Sequence, residues 1–238
     1  MDNQAALVII DKIFRTVFNR PNRYSLDELF LKLAKDMHLP RPVKEAITGD
    51  TTWTINGAGG AGLKYIKQQN VFAIEQDEGW MKSRHAGENI DVNGIMDAWS
   101  RINLISTERN FDSVNIARSD PIYACENAWQ CADCHECKHI VYAEGCVNSE
   151  FLVASARSAN CNFCIKADDS DGCSNSYSVI CSSKIINSLF IQDCYDLYEC
   201  MFCAHVSSRR YCIGNMEFSE SEYYRLKPLI IDYILSGS

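Results

Sequence analysis

The sequence predicts an α+β chain in three parts. A mainly helical N-terminal domain spans residues 1–110, a narrow cysteine-rich β-solenoid spans 111–216, and a capping helix spans 217–238. Three observations carry this reading. All 13 cysteines lie at or after Cys125. Residues 1–110 hold 14 Lys+Arg against 14 Asp+Glu while the rest hold 9 against 17, so the whole net charge of −8 sits in the second part. Every third residue from Ser113 to Val206, 32 positions in succession, is Ser, Ala, Cys, Val, Ile or Leu. Two compositional shifts at one place mark a boundary, and a fixed period marks a repeat.

The first part reads as follows. From Ala5 to Phe18, Leu7, Ile10, Phe14 and Phe18 recur at spacings of three and four, which puts one apolar stripe on a helix. Ser25-Leu-Asp-Glu28 is a capping box opening a second helix through Leu29, Leu31, Leu33 and Met37, which ends before Pro40. Pro42 opens a short helix to about Ile47, closed by Gly49, and Thr51–Ile55 alternates as a strand. The stretch from Asn56 to Lys64 is glycine-rich. Gly57, Gly59 and Gly62 match Gly-x-Gly-x-x-Gly in form, but no βαβ pattern or Gly-Lys-Ser/Thr ending follows, so it reads as a flexible loop. Asn93 to Ile105, with Ile95, Met96, Trp99, Ile102 and Leu104, reads as another helix.

The period-three stretch fits neither a helix nor an ordinary strand. Twelve of the 13 cysteines fall in its residue class, Cys181 being the exception, and the register breaks at Asn110 and Arg209. A shift of 27 residues superposes Cys134 on Cys161, Cys137 on Cys164 and Cys146 on Cys173. Small side chains at this spacing fit a chain winding around a thin axis and pointing one residue in three inward. Six asparagines, Asn115, Asn127, Asn148, Asn160, Asn175 and Asn187, immediately precede inward positions, where a residue tolerant of left-handed backbone suits a corner. No modulus of 12, 15 or 18 aligns the cysteines cleanly, so the coil length stays open. Beyond the break, Ser219 or Ser221 caps a helix whose Tyr223, Leu226, Leu229, Ile230, Tyr233 and Ile234 form an apolar face. A solenoid end is an open edge, and this helix reads as its protection, with the first part covering the other end.

Metal is the sharpest chemical alternative. Cys131-x2-Cys134-x2-Cys137 with Cys146, Cys161-x2-Cys164 with Cys173, and Cys200-x2-Cys203 with Cys212 have zinc or iron–sulfur spacing, and His135, His139 and His205 are near. A triplet period makes any two neighbouring inward cysteines a CxxC, however, and cysteine is itself a small buried hydrophobe. Packing is therefore the preferred role, and a metal-binding or redox protein is the alternative. Asp168-Asp-Ser-Asp-Gly172 resembles a calcium loop but has Ala167 where the first ligand belongs, so it reads as a turn. No catalytic or cofactor-binding residue stands out, and the reading leans away from an enzyme. A rod with an acidic face is a second alternative, as a nucleic-acid mimic, although the carboxylates show no period.

No apolar run approaches eighteen residues, and the first twenty residues lack a secretory cleavage pattern. A cytoplasmic location, free thiols, no membrane contact and no direct nucleic-acid binding are expected on these grounds. Outward positions carry Val141, Val147, Phe151, Val153, Phe163, Ile165, Ile180, Ile186, Leu189 and Phe190, more large apolar residues than a solvated rod needs. The function expected is a non-enzymatic structural or protein-interaction subunit, with a protein partner or a second copy covering that surface.

The segment from Ile191 to Tyr224 contains Cys194, Cys200-Met-Phe-Cys203, Arg210-Tyr-Cys-Ile-Gly-Asn215 and Glu222-Tyr-Tyr224. In these motifs it resembles the end of a group of cysteine- and asparagine-rich triplet-repeat proteins encoded in bacterial and phage genomes. The resemblance covers about residues 111–235. It implies a β-solenoid-like fold and implies no activity.

Overall fold

The computed structural model describes residues 1–56, 63–75, 91–148 and 150–236; the glycine-rich stretch around Gly57, Gly59 and Gly62 lies outside them. From Asn110 onward the chain winds as a β-solenoid of about nine turns ending near residue 213. Its parallel pairs share one register: Glu126 lies beside Lys138, Ile140 beside Leu152, Cys164 beside Ser176, Ile191 beside Cys203. Each coil is therefore twelve residues long, with four inward positions. The coil length that cysteine spacing left open is set by this register.

The corners explain the period. At every third residue from Asp112 to Gly214, Pro121 and Phe151 apart, the backbone is left-handed, with φ of 44–57° at the non-glycine corners. The six asparagines noted above are all corners, as are Gly145, Gly172 and Gly214. Left-handed backbone costs roughly 1–2 kcal/mol at an ordinary L-residue and less at Asn, Asp or Gly. Backbone hydrogen bonds between coils offset it. Corner amides reach the preceding coil, as Tyr142 N–H to Trp129 O at 3.0 Å, and the residue after each inward position reaches the next, as Glu126 N–H to Cys137 O at 3.0 Å.

The third amide of a triplet belongs to the inward residue, and it accounts for the axis chemistry. The Cys125 and Cys131 amides donate to Ser113 Oγ and Ser119 Oγ one coil earlier, both at 2.9 Å, and Cys194 and Cys200 do the same to Ser182 and Ser188 at 3.0 Å. The hydroxyls then donate onward, Ser188 to Ile186 O at 2.8 Å and Ser158 to Ala167 O at 2.8 Å. Serine and cysteine are thus more than small: they satisfy backbone groups that a dry axis would otherwise strand. The space is narrow as well. A coil holds two branched aliphatics at most, as in Ile185, Ser188, Ile191 and Cys194, all buried.

One outer flank is covered by helices. Helix α1 (Asn3–Phe18), capped by Asp2 accepting from the Ala5 amide, buries Ile10, Ile13, Phe14 and Phe18 across the strands holding Val141, Val153, Ile165 and Tyr177. Those four residues form one column at twelve-residue spacing. The capping box opens α2 (Leu26–Leu29), which runs on as a π-helical turn over Phe30–Ala34. Tyr142 Oη donates to Leu26 O at 3.0 Å, fixing that segment to the coils.

The rest of the first part mixes strands with helices. The short helix expected from Pro42 is instead strand β1 (Arg41–Lys44), paired antiparallel with β2 (Thr51–Thr54). Proline fits there because the strand has one partner only. Gly49, at φ +74°, sits in the connecting turn. Strand β3 (Lys64–Lys67) leads into α3 (Gln68–Glu75) and pairs with β4 (Leu104–Thr107). Helix α4 (Val92–Ile102) ends earlier than the sequence implied, because Leu104 enters β4. This unit covers part of the first coil. Asp120, fully buried, accepts from the Arg109 amide at 3.0 Å, from Arg109 Nε at 2.8 Å and from the Ile55 amide at 3.3 Å.

At the other end Cys212–Ile213 folds back antiparallel on Met216–Glu217, and the turn places Gly214 and Asn215 at positive φ, as a two-residue hairpin loop requires. Helix α5 (Glu220–Ser236), capped by Ser219 with Glu222, then leaves the end and runs back along the helical flank. Lys227 Nζ bonds Glu199 at 2.6 Å, Arg20 pairs with Asp232, and Tyr24 Oη donates to Leu235 O at 2.5 Å. Tyr223 and Ile231 are buried, while Leu229 and Tyr233 of the expected apolar face are exposed. No helix among the described residues is long and apolar enough to cross a membrane.

Candidate functional site

The twelve in-register cysteines all lie in one buried cluster on the axis, as free thiols, and Cys181 alone is exposed. Each sulfur is engaged with backbone. Cys131 donates to Trp129 O at 3.2 Å, Cys134 to Ala132 O at 3.1 Å, and Cys137 to His135 O at 3.2 Å and Cys146 O at 3.1 Å. Cys161, Cys164 and Cys173 repeat this with Ala159, Asn162 and Asp171, and Cys200, Cys203 and Cys212 with Tyr198, Met201 and Arg210. The structure therefore brings the sequence-singled cysteines together as a packed column, not as separate binding loops.

The titration of these thiols follows their contacts. Burial pushes Cys134 well above the usual thiol value. Cys125 is lowered by its cysteine neighbours Cys134 and Cys137, and Cys161 by Cys164 and Cys173. Cys164, Cys173 and Cys200 rise, each chiefly through its bond to a neighbouring cysteine. One sulfur in each group gains at the others' expense, and no group can hold several thiolates together.

No three of His, Cys, Asp and Glu among the described residues converge in a metal-binding arrangement. The histidines stand on the outer side of the wall. His135 stacks on Tyr123 at 5.0 Å, His139 stacks on Phe151 at 4.6 Å, and His205 faces Asp193 at 3.7 Å. The carboxylates of the outer wall are interleaved with cations, Arg157 between Asp168 and Asp169 and Lys138 beside Glu150.

Most of the outward apolar residues that argued for a partner are covered within the chain. Val141, Val153 and Ile165 are buried under α1, and Phe151 and Phe163 pack into the same flank, while Val147, Ile180 and Ile186 stay exposed. Among the described residues, a further run of exposed apolar side chains lies on α4. Val92, Ile95, Met96, Trp99 and Ile102 follow one another at spacings of one or three residues on that helix, and each is between 45% and 73% exposed. Asp91 caps it at the Gly94 amide, and Lys64 Nζ holds Ser100 O at 2.8 Å. Periodicity identified this helix; it carried no signal that the apolar side would lie open.

Cavities are modest. One of about 250 Å3 lies between α1 and α5, lined by Phe14, Pro21, Tyr24 and Leu235, with Arg20 already tied to Asp232. Wider, shallow clefts of about 360, 480 and 420 Å3 lie beside Lys67 and Arg118, beside Glu126 and Lys138, and beside Asp11 and Arg23. Comparison with known proteins returned no match to a family model, a curated protein or a solved structure.

Proposed function

We propose that the protein is a non-enzymatic interaction subunit, cytoplasmic, in which the solenoid is a rigid support and α4 is the docking element. The uncovered apolar face of α4 carries this reading. A soluble chain rarely leaves five large apolar residues open on one helix unless something covers them. The occupant is an apolar groove on another protein. An eleven-residue helix is about 16 Å long, so two such faces laid together fall short of the roughly 1,200 Å2 that a stable interface buries. A groove encloses the helix on three sides and takes its anchors at i, i+3, i+4 and i+7. The polar side of α4 offers Arg101 against Asp97, no cationic excess to favour an anionic lipid surface.

Ile95→Asp and Trp99→Asp test the reading, because both positions are exposed and the fold should persist by circular dichroism. A partner recovered in stoichiometric amount from the native source with the unaltered chain, and lost with both variants, is the expected result. A partner retained by both variants, or none at all, overturns it, and concentration-dependent self-association abolished by the same variants assigns the face to a second copy.

A further inference from the structure

We infer that the axis holds a defined set of disulfide sites: four stacked cysteine pairs that close on oxidation, beside four buried thiols that stay free. The twelve-residue register decides which is which. Cys125 stacks on Cys137, Cys134 on Cys146, Cys161 on Cys173 and Cys200 on Cys212, each pair flanked by residues whose pairing is direct, as Glu126 with Lys138 and Met201 with Ile213. In-register parallel neighbours stand about 4.8 Å apart, inside the 4.4–6.8 Å range of disulfide α-carbons. All eight side chains lie in the one buried axial cluster. Cys131, Cys164, Cys194 and Cys203 have no cysteine one coil away in either direction: Cys131 lies between Ser119 and Ala143, and Cys194 between Ser182 and Val206.

The reaction is thiol–disulfide exchange with a small-molecule disulfide. A thiolate of one cysteine attacks it, forms a mixed disulfide and releases one thiol. The stacked neighbour then displaces the second thiol, so the chain loses two electrons and two protons and both appear on the released thiols. The axis has no room for a mixed disulfide, so exchange proceeds through an opened coil, and terminal coils open first. Cys200–Cys212, in the last coils, closes ahead of the rest. Each bridge then ties a coil to its successor along the seam where the coils would part.

The full chain carrying Cys181→Ser, which removes the exposed thiol, is incubated with oxidised glutathione in urea just below its unfolding midpoint. It is then returned to buffer, alkylated in denaturant and mapped by mass spectrometry. Bridges at the four named pairs, with Cys131, Cys164, Cys194 and Cys203 alkylated, are expected, together with a thermal midpoint raised by roughly 5 °C or more. A further Cys200→Ser change leaves Cys212 alkylated and the other three bridges in place. Bridges inside one coil, such as Cys125–Cys131 or Cys200–Cys203, scattered pairings, or a chain with no bridges overturn the inference.

Discussion

The solenoid axis and the helical flank bury side chains by different rules. On the axis, four positions per coil accept six residue types, and serines and cysteines such as Ser113, Ser188 and Cys137 both fill space and satisfy a backbone group one coil away. On the flank, α1 presses large residues against a single outer column, Phe18 meeting Tyr177 with ring centres 5.1 Å apart, and the π-helical turn sets Phe30 against the neighbouring corner Tyr142 at 5.6 Å. The axis is thus constrained position by position and the flank only by shape. A wrong side chain on the axis strands a polar group or a charge; on the flank it leaves a gap.

Five measurements break or sharpen that contrast. The largest effect is expected at Ile185→Asp, which places an unpaired carboxylate on the dry axis and costs more than about 4 kcal/mol, enough to abolish a cooperative urea transition of the coils. Phe18→Ala on the flank removes a ring that is 1% exposed and should cost about 3–4 kcal/mol while the coils stay assembled by circular dichroism.

The third measurement uses pH. Burial raises Tyr142 to about 12, against an ordinary phenol near 10, so its contribution is complete below pH 10 and is lost between 10 and 12 as the buried hydroxyl is forced to ionise. Unfolding free energies from urea titrations across that window should fall by about 2–3 kcal/mol more for the native chain than for Tyr142→Phe. Ser188→Ala leaves the Cys200 amide without its acceptor and should cost about 1–2 kcal/mol, whereas Ser188→Cys should recover most of it. The smallest effect is at Lys184→Asp, an exposed corner beside Ile185, expected within about 0.5 kcal/mol. Equal responses at Lys184 and Ile185 would remove the distinction between axis and wall.

The axis was legible because a dry four-sided channel restricts composition at every third residue, and nothing else in a chain does so. Its coil length was not, because cysteine, serine and alanine substitute for one another down each inward column. The signal for twelve lay on the outside: Trp129, Val141, Val153, Ile165, Tyr177, Leu189, Met201 and Ile213 recur at that interval beneath the helices. Helix α1, the capping box at Ser25 and a serine cap at Ser219 or Ser221 followed from local chemistry, which acts within four residues. Pro42 misled because a proline with fixed φ opens a helix as readily as it occupies a singly paired strand. The open face of α4 could not be read from its own period, since amphipathicity says which side is apolar and not what stands opposite.

The left-handed corners make the chain's length discrete. A three-residue insertion within the coils keeps every later axis position filled with an acceptable side chain, but it turns everything that follows by one face. The apolar column would leave α1 and α5 and emerge on a neighbouring wall. Only a change of twelve residues preserves both the inside and the outside, lengthening the rod by a single step of about 4.8 Å. A lineage of such rods can therefore grow or shrink gradually in sequence, yet only stepwise in shape, with the helices on the flank acting as the gauge that rejects the intermediate lengths.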